Sequence, residues 1–264
     1  MGEINTSLKI GFALALLIVS LCLLGFVLPG DYNAMDSANR FRAPGRDFLF
    51  GTDNFGRDVF FRVIVGARYT LFVAIATVIS SAAIGTALGM SSGYRGGLFD
   101  EAVMRLMDTI NSFPGIILAL VMVSLFGNSP GTLIIALLIL FIPGFTRVMR
   151  NGMLRYKNRD FILAARVAGI PPWRIIFFHI FPNTVPSLLS ASVIGLSNAI
   201  LAESTMSYLG LGIQPPVPSW GRMLSESQSF LHSAPWSALA PGIMIMLTVL
   251  AFHYLGEGLR EKTS

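Results

Sequence analysis

The sequence predicts an all-α integral membrane protein with six transmembrane helices, and three observations carry that reading. Of 264 residues, 53% are hydrophobic and only 12% charged, whereas about a quarter of residues are charged in soluble globular domains. Several uncharged runs reach the ~20 apolar residues that cross a hydrocarbon core as a helix. Seven of the nineteen Lys and Arg residues gather in one interruption, Arg147 to Arg174. The net charge of +5 alone would also suit a nucleic-acid partner. The basic residues, however, flank apolar runs with no basic-aromatic stacking pattern, so they read as a membrane-orientation signal and no nucleic acid is expected.

The first span is Leu8 to Leu28. Its uncharged run from Ile10 exceeds the usual apolar core of a cleaved signal and lacks an A-x-A-like exit, so it reads as a retained helix. Cys22, the only cysteine, lies inside it, which removes a disulfide framework or a Cys-based metal site and leaves a small packing residue. The second span lies within Tyr69 to Tyr94. No charge occurs from Thr109 to Thr146, but the turn cluster GNSPG (Gly127 to Gly131) divides that stretch, giving a third span that ends near Phe126 and a fourth from about Thr132 to Met149. After Arg174 the next charged residue is Glu203, which gives a fifth span, Pro186 to Ala202. The sixth is Ser237 to Gly256.

Six spans put both termini on one side, together with Tyr94 to Arg105 and Arg147 to Arg174. The second segment is the strongest positive cluster, so this side is expected to be cytoplasmic. The outer segment from Asp31 to Gly66 carries Arg40, Arg42, Arg46, Arg57 and Arg62, matched by Asp31, Asp36, Asp47, Asp53 and Asp58. DNFGRD lacks calcium-loop spacing, so Asp53, Asn54 and Asp58 are expected in an outer loop held by Asp–Arg contacts.

The chain has no G-x-x-x-x-G-K-[ST] phosphate loop, so it does not bind ATP by that route. Carriers driven by ion gradients usually place ionisable residues within their spans, and these spans are almost free of them. Glu203 is the exception. Eighteen residues counted from Pro186 place it roughly 27 Å along a helix, near the outer interface. There it either faces a translocation cavity, where it would attract a cationic group, or is hydrated or caps a neighbouring helix. Arg105 and Asp108, three residues apart on one helix face, read as an ion pair fixing the inner end of the third span. His179, His232 and His253 fall in separate segments and suggest no metal cage. Pro215, Pro216 and Pro218 exclude a regular helix from Gly210 to Trp220.

Within the basic interruption, Asn158 to Ile170 (NRDFILAARVAGI) has alanines that favour helix, a glycine stop at Gly169, and Pro171 and Pro172 to end it. The residues alone suit a protein-docking helix and an amphipathic helix on anionic lipid about equally.

The segment is similar to the cytoplasmic E-A-A-x(3)-G loop of ABC importer membrane subunits. Ala164, Ala165 and Gly169 match its alanines and glycine, and His179 and Pro182 match the downstream H-x-x-P of the peptide-type branch. Leu163 stands where most members have glutamate, which removes any charge contact made there. GTDNFGRDVFFRVIVGAR (Gly51 to Arg68) and ESTMSYLGLGIQPPVPSWGRML (Glu203 to Leu224) resemble two further signatures of the dipeptide, oligopeptide and nickel importers, in their second, C-type, permease subunit.

The resemblance implies a type I ABC importer permease fold. It divides the chain into an N-terminal helix with an extracytoplasmic segment (1–66) and a five-helix permease domain (67–264). It implies a coupling helix at Ala164, Ala165, Arg166 and Gly169, and an outer loop, Gly210 to Trp220, that helps close the pathway. The implied partners are a homologous B-type permease subunit, two ATP-binding subunits and an extracytoplasmic substrate-binding protein, in a bacterial or archaeal plasma membrane with both termini cytoplasmic. The implied cargo is a peptide or a nickel or other metal chelate, and no cofactor or bond-making chemistry is expected of the chain itself. The alternatives are a gradient-driven carrier acting alone and a membrane-embedded enzyme, for which the sequence offers no nucleophile–base or metal constellation.

Overall fold

The computed structural model describes residues 6–27 and 31–263. It is all helical, apart from one isolated β-bridge between Thr52 and Asp58. Helix α1 (Thr6–Val27) accounts for the first span; the expected end at Leu28 lies outside the described residues. An irregular segment then folds into the start of α2 (Val59–Arg95), which Asp58 caps by accepting from the Phe60 amide. At about 1.5 Å per residue α2 extends roughly 55 Å, so both ends project beyond a hydrocarbon core of about 30 Å. The expected division between residues 66 and 67 falls inside this unbroken helix.

The third span differs from expectation. The chain forms α3 (Gly97–Ser112) and α4 (Gly115–Phe126), bent by 88° at the break. Pro114 is the cause: it disfavours helical geometry at the preceding residue, and Phe113 is extended, with φ −87° and ψ 132°. Alone, the 12 residues of α4 rise only about 18 Å. Among the described residues five helices are therefore long and apolar enough to cross a membrane, and the bent pair makes a sixth crossing when taken as one.

Helix α5 (Pro130–Tyr156) starts with Ser129, whose hydroxyl accepts from the Thr132 amide, and Pro130 in the first turn, where its missing N–H is harmless. The short α6 (Asp160–Val167) follows. A one-turn α7 (Pro172–Arg174) runs through a π-helical stretch (Ile175–Ile180) into α8 (Phe181–Tyr208). After the proline-rich loop come α9 (Trp220–Ser227) and α10 (Trp236–Thr263).

Packing fixes which ends lie together. A Cβ placed on Gly11 would lie 2.6 Å from the Leu255 amide, and one on Gly258 would lie 2.9 Å from the Leu8 Cβ, so the start of α1 lies beside the end of α10. Asp100 in α3 pairs with Arg150 near the end of α5, while Asn128, just past α4, donates to the Gly210 carbonyl at 2.6 Å. The α3–α4 pair thus carries the chain from the α6 end of the bundle to the α9 end. The first and last described residues both lie at the α6 end.

Helices α2 and α5 touch backbone to backbone along Gly85, Gly89 and Gly93. A Cβ at Gly85 would be 2.5 Å from the Phe145 Cβ, one at Gly89 would collide with the Thr146 carbonyl oxygen, and one at Gly93 would be 2.9 Å from the Met153 Cβ. Small residues four apart allow this close approach.

Candidate functional site

At the α6 end, seven residues pack into one cluster: Met90, Met149, Met153, Ile162, Ala165, Ile175 and Ile180. Helix α6 contributes Ile162 and Ala165, three apart and so on one face, and this face holds it to the bundle. Its C-terminus closes with two bonds, Gly169 N–H to the Arg166 carbonyl at 3.0 Å and Ile170 N–H to the Ala165 carbonyl at 3.1 Å. That pairing requires a left-handed residue at Gly169, whose φ is 75°, a conformation glycine adopts without strain.

The opposite face of α6 is bare and, beyond Asp160 at its start, apolar. Phe161, Leu163, Ala164 and Ala168 are exposed, as is Gly169, and Val167 is 90% exposed. Arg166 stacks over Tyr94 at the end of α2, with its guanidinium carbon 5.4 Å from the ring centroid. The structure therefore separates the four residues expected to act together. Ala164 and Gly169 lie on the outward surface, Ala165 faces the bundle's own core, and Arg166 joins α6 to α2. Sequence reasoning missed Val167, whose signal was its place between two outward alanines.

Arg105 and Asp108 do not pair with each other, which corrects the expectation. Arg105 bonds Glu101, one turn earlier, at 2.5 Å, and Asp108 accepts from Arg147 of α5 at 2.6 Å. The spacing that would have allowed their pair also leaves each within reach of a better-placed partner. Asp108 thus fixes α3 against α5, as Asp100 does one turn pair earlier through Arg150.

Glu203 also has a different setting from an open cavity. It is fully buried, accepts from the Ser207 hydroxyl at 2.7 Å and has the Ser204 hydroxyl at 3.4 Å. The hydroxyls of Thr70 in α2 and Ser219, the N-cap of α9, also face it. The carboxylate therefore sits where α2, α8 and α9 converge.

At the α9 end, the segment that precedes α2 is held by buried ions. Arg57 donates to Asp53 at 2.6 Å and to Glu226 at 3.1 Å; Arg62 donates to the same Glu226 oxygen at 3.1 Å and to Asn33 at 3.1 Å. The expected Asp–Arg contacts are present, and Glu226 of α9 is the partner that the sequence did not reveal. Two tryptophans close the same region: Trp220 donates to the Val63 carbonyl at 2.9 Å and Trp236 to the Thr52 carbonyl at 3.0 Å.

Residues 85–263 match the model of the binding-protein-dependent transport system inner membrane component family. The chain belongs to this family. The permease is 38% identical over 257 residues to the dipeptide transport system permease protein DppC of Alkalihalophilus pseudofirmus, across 96% of this chain and 84% of that one. It is 40% identical over 247 residues to the glutathione transport system permease protein GsiD of Escherichia coli, across 93% and 82%. Among solved structures it resembles the MetNI methionine ABC transporter in an inward-facing form, with a TM-score of 0.65 and 17% identity over 77% of this chain and 96% of that chain. At that identity the likeness speaks for the fold, that of a type I ABC importer permease. The permease is a multi-pass inner-membrane transport subunit and not an enzyme, which displaces both the gradient-driven carrier and the membrane-embedded enzyme.

Proposed function

We propose that this permease is one of two homologous membrane subunits of an ATP-driven peptide importer. One of two ATP-binding subunits docks on α6, and an extracytoplasmic binding protein delivers cargo at the α9 end. The observation that carries the reading is the two-sidedness of α6. One face is anchored by Ile162 and Ala165, and the other presents Phe161, Leu163, Ala164 and Val167 to whatever lies beyond. A helix lying on anionic lipid would turn a basic face outward beside its apolar one, whereas Arg166 turns back onto Tyr94. Leu163, in place of the common glutamate, extends the apolar face, so docking here relies on shape and apolar burial. The peptide reading takes support from the relatives named for dipeptide and glutathione transport and is preferred to a nickel or other metal chelate.

The test is Val167→Arg in the assembled transporter. Because Val167 is almost fully exposed, the permease itself should fold normally. An unpaired charge desolvated within a contact costs several kcal/mol, so stimulation of ATP hydrolysis by the loaded binding protein is expected to fall about tenfold or more, and uptake with it. Full stimulation and full uptake by Val167→Arg would remove α6 as the coupling element.

The reading also places the α6 end in the cytoplasm, in line with its basic cluster. With Cys22 replaced by serine, a cysteine at Asn158 should be shielded from a membrane-impermeant thiol reagent in intact cells. A cysteine at Met35, an exposed residue of the outer segment, should react. The opposite pattern would invert the assignment.

A further inference from the structure

Exposed side chains on the spans divide into two kinds. On α4 they are apolar except for Ser124: Ile116, Ile117, Leu120, Val121, Leu125 and Phe126. On α2 the large ones, Phe72, Ile75, Ile79 and Ile84, are apolar too, as lipid contact requires. On α8 the exposed stripe instead includes Asn183, Ser187, Asn198, Thr205 and Tyr208, and on α5 it includes Gly144 and Asn151. Asn198 lies in the middle of its span, and no hydrogen-bond partner for its amide is found among the described residues. A bare amide facing hydrocarbon is costly, and polar groups in spans face water-filled space or partner helices.

Between these two helices runs a groove of about 290 Å³, lined by Phe141, Gly144, Phe145, Val148, Ala191, Ile194, Gly195 and Asn198. Phe145 and Gly195 are buried beneath it, packed so closely that a Cβ on Gly195 would lie 3.2 Å from the Phe145 ring. A Cβ on Gly144 would meet nothing within 4 Å, so side-chain-sized space is open above that residue. The lining holds no Asp, Glu, Lys, Arg or His. Asn198 closes one end, and Asn151 lies one turn beyond Val148 at the other. Each amide both donates and accepts.

We propose that the α5–α8 face is a wall of the cargo path and that its groove receives an uncharged, apolar side chain of a passing peptide. Asn198 and Asn151 are placed to bond the peptide's main-chain groups. This rests on the peptide-importer reading above. An ionised side chain entering the groove would lose its water and find no partner, whereas an apolar one gains burial. The open space over Gly144 sets the size of side chain admitted.

The first test is independent of cargo. In the assembled transporter with Cys22 replaced by serine, a water-soluble thiol reagent should label Asn198→Cys and leave Ile79→Cys on α2 unlabelled, because the thiolate forms only where water reaches. Asn198→Cys as resistant as Ile79→Cys would mean a dry helix contact and would overturn the path assignment. The second test compares ATP-dependent uptake of phenylalanyl-phenylalanine and alanyl-alanine. Filling the groove with Gly144→Leu should lower uptake of the first by about tenfold or more and leave the second within about twofold, with Gly144→Ala intermediate. Retained ATP hydrolysis shows that each variant is assembled. Equal effects on both dipeptides would refute the side-chain pocket. A wild-type transporter that takes up neither dipeptide refutes the peptide reading and its proposed occupant, while the labelling result still judges the wall itself.

Discussion

Replacing Gly89 with leucine should prise α2 away from α5 and leave a permease that unfolds well below the wild-type temperature. The Cβ alone collides with the Thr146 carbonyl oxygen, with the Arg150 amide 2.9 Å away and the Met149 Cβ 3.0 Å away. These are backbone or near-backbone atoms and cannot rotate aside. Overpacking of a tight contact costs about 1–3 kcal/mol, occasionally more, and a leucine against backbone belongs at the upper end. Gly131→Ala is the control, because its Cβ would meet only the Ser129 hydroxyl at 3.7 Å. Thermal unfolding of the detergent-purified protein, followed by loss of monodisperse material, checks the difference. Wild-type stability in Gly89→Leu would show that the two helices do not pack as described.

The second large effect is expected from Arg62→Leu. The arginine side chain is 2% exposed, and Glu226, which it bonds, is 19% exposed. Arg62 also approaches Asp53 at 3.7 Å. Removing one member of a buried charge group leaves the rest desolvated with fewer partners, at a typical cost of about 3–5 kcal/mol. Arg62→Lys keeps the charge but loses the fork that reaches both Glu226 and Asn33, so it should fall between the two. In a double-mutant cycle with Glu226→Gln, the double variant should lose clearly less stability than the sum of the singles. Strict additivity would mean that the two side chains do not act together.

The spans were legible because a helix in hydrocarbon must satisfy its own backbone and present apolar side chains, which writes long uncharged runs into the chain. The bend at Phe113 is written just as plainly in Pro114, which acts on the backbone and leaves the hydropathy of the run unchanged. The Gly85, Gly89 and Gly93 spacing is a local signal of the close α2–α5 contact. What the sequence could not reveal is partner choice. Asp108 and Arg147 are 39 residues apart, Arg62 and Glu226 are 164 apart, and only the fold brings them together. The same holds for the inward turn of Ala165, which helix spacing allowed but did not require. For Glu203 the sequence correctly marked an unusual residue; its burial among hydroxyls from three elements depends on contacts with no local pattern.

Helix α2 begins where Arg62 enters the ion cluster beside α9 and ends where Tyr94 lies under Arg166 of α6. No proline interrupts its 37 residues, and Gly85, Gly89 and Gly93 are clasped by α5. Mechanically it is a stiff lever with one arm on each side of the membrane. For a rod of this length, each degree of tilt about its midpoint carries either tip through about half an ångström. A push delivered at one surface therefore arrives at the other in the opposite direction and at full amplitude, without any joint in between to absorb it.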